Sequence, residues 1–187
     1  MLLLDSRFPR FFTAHIAAVL ASSTLACTAH AASFSVTSPA FEDGGTIAAR
    51  YAGPGVCGGE NVSLPVAWHD LPPATRSVVV TLTDPNGPKG IGVTHWIAYN
   101  LAPEPSKLDA GALVSAPASV GLNMTKAAAY RGPCPPVGDT PHHYLLTVTA
   151  TDLAPGELPA GLDYAALQGR LNGHTLTGST VIGRYGR

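Results

Sequence analysis

Ser77-Val78-Val79-Val80-Thr81-Leu82-Thr83-Asp84 decides the fold. From 78 to 82 every position is apolar or β-branched, so the segment lacks the period-two alternation of a half-exposed strand. It has the length and side chains of a strand covered on both faces. A second run, Tyr144-Leu145-Leu146-Thr147-Val148, reads the same way, and the pair predicts the centre of a β-sandwich. Working outward, turn-bounded segments rich in strand formers stand at 34–37, 46–51, 63–68, 94–101 and 143–152. One helix is expected, capped by Asp163, with Tyr164, Leu167 and Leu171 on one face and Asn172-Gly173 closing it. Residues 174–185 then read as a terminal strand whose Gly178 and Gly183 mark a bulge. The fold class is mainly β.

At 187 residues, a single domain is expected. Hydrophobic residues make up 45% and charged residues 12%, with a formal net charge of -1. Neither a disordered polyampholyte nor a basic nucleic-acid-binding domain fits those values. Twenty Gly and 17 Pro demand many turns, and the connections 84–92, 102–111 and 132–141 have the length of functional loops.

Arg7 and Arg10 precede an uncharged stretch, 16–26, of only 11 residues. That is too short to span a bilayer, so no transmembrane segment is read. It reads as a secretory signal, with Ala29-His30-Ala31 supplying the small residues at −3 and −1 for cleavage after Ala31. Residues 1–31 are therefore assigned to a signal peptide and 32–187 to one domain, periplasmic or secreted. Thr24-Leu25-Ala26-Cys27 is a rival site that would leave a lipidated Cys27, but Thr stands where such sites usually carry Leu. Cleavage leaves Cys57 and Cys134, and an even count in an exported chain favours one disulfide, two independent thiols being the other reading. Neither belongs to a Cys-x-x-Cys pair, which disfavours zinc.

Polar groups concentrate at Asp84-Pro85-Asn86-Gly87-Pro88, Thr94-His95-Trp96 and 132–144. Asp84 ends one strand while His95 and His142 begin two others, so strands packed side by side would bring the three to one sheet end. A His beside a carboxylate is oriented by it and favours the protonated ring, which suits an anion site. No Gly-x-Ser-x-Gly elbow or His-Glu-x-x-His cluster occurs, and no enzymatic activity is assigned. His142 and His143 are adjacent on a strand, point to opposite faces and cannot share one ion. A zinc site of His95, His142 and Asp84 would have three candidate ligands, one fewer than a closed structural site, and no metal or cofactor is expected.

Asp84-Pro85-x-x-Pro88, His95-Trp96, Gly132-Pro133-x-Pro135-Pro136-x-Gly138 and His142-x-Tyr144 occur together and in order. With Phe41-Glu42-Asp43-Gly44, Asn61-Val62-Ser63, Trp68-x-x-Leu71-Pro72, Gly173-His174 and Gly183-Arg184-Tyr185, the chain resembles the phosphatidylethanolamine-binding proteins, in their bacterial Raf-kinase-inhibitor-like branch of YbhB/YbcL type. The resemblance covers nearly all of residues 32–187. It implies a β-sandwich of two antiparallel sheets with one or two short peripheral helices. It also implies a small end cavity that in relatives takes phosphate, acetate or phosphorylated head groups.

Carried over, Asp84, His95, His142 and Tyr144 match the family's pocket and Pro135 a proline of its rim. The imidazoles and the Tyr144 hydroxyl would donate to an oxyanion, with Asp84 orienting a ring, while Trp96 and Tyr130 would pack. Two positions depart from the family: Asn86 replaces a carboxylate and His143 an Arg. The expectation is that these two face each other, so that both buried charges were lost together. The implied partner is a small anionic or phosphorylated ligand. An inhibitory contact with a protease or other target enzyme, and a hydrolase or lyase built on the Asp/His pair, are the alternatives. Oligomeric state stays open, a homodimer among the options.

Overall fold

The computed structural model describes residues 33–187; the assigned signal, its cleavage point and Cys27 lie outside the described residues. The strands are β1 (Ser35–Thr37), β2 (Val66–His69), β3 (Ser77–Asp84), β4 (Val93–Leu101), β5 (Lys107–Leu108), β6 (Ser119–Val120), β7 (His142–Thr151) and β8 (Thr175–Tyr185), with α1 (Tyr164–Leu171) before the last. They form two antiparallel sheets, ordered β1-β2-β5 and β6-β4-β3-β7-β8.

The apolar run that opens β3 is explained by its place in the middle of the larger sheet. Val78, Val80 and Leu82 point toward the small sheet and pack in one core with Leu64, Trp68 and Leu146. Val79 points the other way, into a second core with Ile97, Tyr99, Leu167 and Leu171. β7 differs from expectation. Its Tyr144, Leu146, Val148 and Ala150 are buried, but the alternate residues 143, 145, 147 and 149 are half-exposed. The second core is built on β3, β4 and α1 and contains no β7 residue, so only one face of that strand is closed. Truncating Leu82 or Leu146 would cost about 2–5 kcal/mol.

The expected helix begins where Asp163 accepts a hydrogen bond from Ala166 N at 3.0 Å. That bond and the Lys126 ammonium hold the Asp163 carboxyl below its ordinary pKa.

Residues 46–51 are not a strand. Thr46 makes a single bridge to Arg184 and Ile47 N donates to Arg184 O at 2.8 Å; then Ala49–Tyr51 coils into a 3-10 turn. The chain must dive there because residues 51–53 pack against Gly132, where a Cβ would stand 2.3 Å from Tyr51 O. Gly53 N donates to Pro133 O at 2.9 Å. Asn61 fastens the same segment, accepting from Gly132 N at 2.8 Å and donating to Tyr130 O at 3.3 Å. Cys57 and Cys134 face each other here with their Cα atoms 5.1 Å apart, a separation a disulfide spans.

Candidate functional site

β3 ends where β4 and β7 begin. Asp84 lies opposite Val93, and Thr83 opposite both Thr94 and Leu145, so Asp84, His95, His142 and Tyr144 gather at one sheet end. Strand periodicity puts His142 and Tyr144 on the same face. His95 arrives differently. The β3–β4 register runs from Leu82 opposite Trp96 to Thr83 opposite Thr94, leaving His95 as the extra residue of a bulge, a device that re-aims a side chain. Without it His95 would share the face of Ile97, in the helix-covered core. Arg131 pins the bulge from both sides: its N–H donates to His95 O at 3.0 Å and its carbonyl accepts from His95 Nδ1 at 2.7 Å.

These four residues and Pro135 line a cavity of about 260 Å³, together with Asn86, Lys89, Arg131 and Asp139. Asp84, 3% exposed, uses both carboxylate oxygens. Oδ2 accepts from His142 Nδ1 at 2.8 Å, and Oδ1 accepts from Asn86 N at 2.8 Å and Gly87 N at 3.1 Å. It thus orients the His142 ring and fixes the turn after β3. A second carboxylate, Asp139 Oδ2, lies 3.4 Å from His142 Nε2. Burial opposes charge on His142, but the two carboxylates override it and raise its pKa above the ordinary histidine value.

His95 goes the other way. Burial lowers its pKa, outweighing the Arg131 carbonyl and the attraction of Asp84. The contact to that carbonyl requires a proton on Nδ1, and in the neutral form that burial favours, Nε2 is an acceptor. The two imidazoles are thus not equivalent: the surroundings of His142 favour a donor, and those of His95, without a carboxylate partner of its own, favour an acceptor at Nε2. Tyr144 packs edge-on against His95, ring centroids 5.3 Å apart at 73°. Burial, reinforced by Asp84, raises its pKa and keeps it a phenol. His95 Nε2 and Tyr144 Oη are both buried without a hydrogen-bond partner among the described residues.

Asn86 and His143 do face each other: Asn86 Oδ1 accepts from His143 N at 2.9 Å and lies 3.2 Å from His143 Nδ1. The reason given for their joint departure fails, however, because Asn86 is exposed and His143 half-exposed; no buried charge was at stake. Trp96 and Tyr130 pack edge-on at 5.7 Å away from this cavity. Three participants were not anticipated. Arg131 acts through its carbonyl, which sequence does not reveal. Asp139 stands three residues before His142 and could have been read from that spacing. Arg187 clamps the wall, its Nε donating to Pro135 O at 2.7 Å and its guanidinium also reaching Val56 O. A larger depression of about 440 Å³ adjoins the cavity across Asp84, Val93 and Met124; no histidine lines it. Among the described residues no three His, Cys, Asp or Glu side chains are arranged to hold a metal ion, and no helix is long and apolar enough to cross a membrane.

A two-sheet antiparallel sandwich with an Asp/His/Tyr pocket at one sheet end defines the structural class. The chain belongs to the phosphatidylethanolamine-binding protein family, whose sequence profile matches residues 37–186. It is 34% identical over 153 residues to a UPF0098 protein of Methanothermobacter thermautotrophicus, covering 79% of this chain and 95% of that one. It is 36% identical over 142 residues to the UPF0098 protein YbcL of Escherichia coli, covering 72% and 76%. Among solved structures it superposes on Escherichia coli YbcL, a member of the mammalian PEBP family, with a TM-score of 0.76 at 29% identity, covering 83% of this chain and 99% of that one. A homologue from Chlamydia trachomatis gives a TM-score of 0.74 at 31% identity, with 82% and 97% covered.

Proposed function

We propose that this protein is an exported small-ligand-binding protein that holds an anionic or phosphoryl group in the pocket of Asp84, His95, Pro135, His142 and Tyr144. The observation that carries the reading is a pair of buried polar atoms, His95 Nε2 and Tyr144 Oη, without partners at a cavity whose third polar group, His142, is held by Asp84. Buried polar groups in folded proteins are nearly all satisfied, so two neighbouring exceptions mark a place where a ligand completes the set. His142 would give a charge-assisted hydrogen bond, about twice as strong as a neutral one, and Tyr144 Oη a second. Lys89 and Arg131 at the rim add positive charge that favours arrival of an anion.

The basic and then uncharged N-terminus supports export. An oxidising compartment in turn supports a Cys57–Cys134 disulfide as the fastening of the pocket's Cys134–Pro136 wall. Closing a loop of that length is worth roughly 4–5 kcal/mol in the chain-entropy model. Calorimetric titration of the mature chain at pH 6 with inorganic phosphate and phosphoethanolamine tests the reading. Saturable binding that Tyr144→Phe weakens is expected; no heat of binding from either ligand at millimolar concentration would refute it.

A further inference from the structure

The pocket's polar groups are not equivalent, and the difference specifies the ligand more narrowly than charge does. His95 is 4% exposed and makes a 2.7 Å contact with the Arg131 carbonyl through Nδ1. A carbonyl can only accept, so the ring proton belongs on Nδ1. Asp84, the carboxylate that could have sponsored a second proton, has its oxygens taken by His142 Nδ1 and by the Asn86 and Gly87 amides. Arg131 beside the ring disfavours a second charge, and Tyr144 meets it edge-on as a neutral phenol. His142 is paired with Asp84 through Nδ1 and, at a longer distance, with Asp139 through Nε2. Nε2 therefore presents a lone pair to whatever enters.

We propose that His95 makes the pocket selective for an oxyanion that carries its own hydrogen, the monoanion of phosphate or of a phosphate monoester, over a fully deprotonated oxyanion such as sulfate. The proposal rests on the anion-binding reading above. The ligand's P–OH donates to His95 Nε2, while its unprotonated oxygens accept from Tyr144 Oη and from His142 Nε2, which exchanges its long 3.4 Å contact with Asp139 for the ligand. Sulfate has no hydrogen to give. Entering, it sets an oxygen lone pair against the imidazole lone pair, or else forces a proton onto a ring that burial keeps neutral. Sites built around a buried acceptor reject analogues lacking the matching donor far more strongly than size alone would allow.

The test compares methyl phosphate with methyl sulfate at pH 5.5, where both are monoanions of nearly the same shape and differ in the one hydrogen. Calorimetry in two buffers of different ionisation enthalpy gives affinity and the protons taken up on binding. Methyl phosphate binding at least tenfold more tightly, with no net proton uptake, is the expected result, since an unsatisfied buried acceptor carries a penalty of that order. His95→Gln can present either an oxygen or an NH₂ group; it should narrow the preference to under threefold while both ligands still bind. Equal affinities, or methyl sulfate binding with uptake of one proton, would overturn the selectivity while leaving the anion-binding reading intact. Failure of both ligands to bind would overturn both.

Discussion

His95 and His142 line one cavity from neighbouring regions of the same sheet, yet they carry opposite electrostatics. His142 begins β7 against the carboxylates of Asp84 and Asp139, which favour its charged form. His95 sits in the β4 bulge against a backbone carbonyl, which holds a proton on Nδ1 but cannot repay a full charge. Both rings have little solvent access, 4% at His95 and 7% at His142, but His95 is set deeper in the protein, and that desolvation is the largest influence on it. Depth and polar neighbour act together: the carboxylates at His142 outweigh burial and the carbonyl at His95 does not, because an ionised acceptor stabilises an imidazolium more than a neutral carbonyl dipole does.

The contrast is broken most severely at Asp84. Asp84→Ala removes the partner of His142 and the acceptor for two turn amides, and should lower stability by about 3 kcal/mol in urea unfolding. It should also lower the His142 pKa, since Asp139 alone is then left to oppose burial. Tyr144→Phe should do the reverse. It deletes a buried hydroxyl that has no partner, so stability should change by less than about 1 kcal/mol while phosphate affinity falls several-fold by calorimetry.

The pH dependence of stability sharpens the comparison because the two rings act on opposite limbs. His142, with its raised folded pKa, contributes stability that is complete below the unfolded value near 6.5 and is lost as pH rises through the folded value. His95, with its lowered pKa, contributes stability that is complete above that unfolded value and erodes as pH falls toward the folded one. Urea unfolding between pH 5 and 8 should therefore show His142→Asn flattening the alkaline limb and His95→Asn the acid limb. Arg187→Ala should loosen the Pro135 wall for about 1 kcal/mol, with a few-fold loss of phosphate affinity. The smallest effect is expected where the family pattern is restored. Asn86→Asp with His143→Arg makes an exposed pair, and a double-mutant cycle should give a coupling under about 1 kcal/mol.

Most of the fold could be read from sequence because burial leaves a local trace. The run from Val78 to Leu82 needs both faces covered, and β3 has them; the Asp163 cap and the Leu167/Leu171 face announce α1 within a few residues. β5 and β6, two residues each, are too short to show a period. Residues 46–51 have strand-forming side chains but turn under because distant Gly132 leaves room for them. At the site, the alternation of His142 and Tyr144 was legible, and so was the gathering of three strand ends. The bulge was not, since it is a property of register between two strands rather than of either alone. Without it neither the role of Arg131 nor the different polar surroundings of the two rings could be foreseen, and sequence treats both rings alike.

The two pocket histidines should differ in charge at the same pH. Nitrogen-15 NMR of the imidazole rings, recorded on the ligand-free mature chain at pH 6.5, tests it directly. The expected spectrum shows an imidazolium, or a ring predominantly so, at His142 and a neutral ring with its proton on Nδ1 at His95. Parallel titration of the two rings, or a cationic His95, would contradict it.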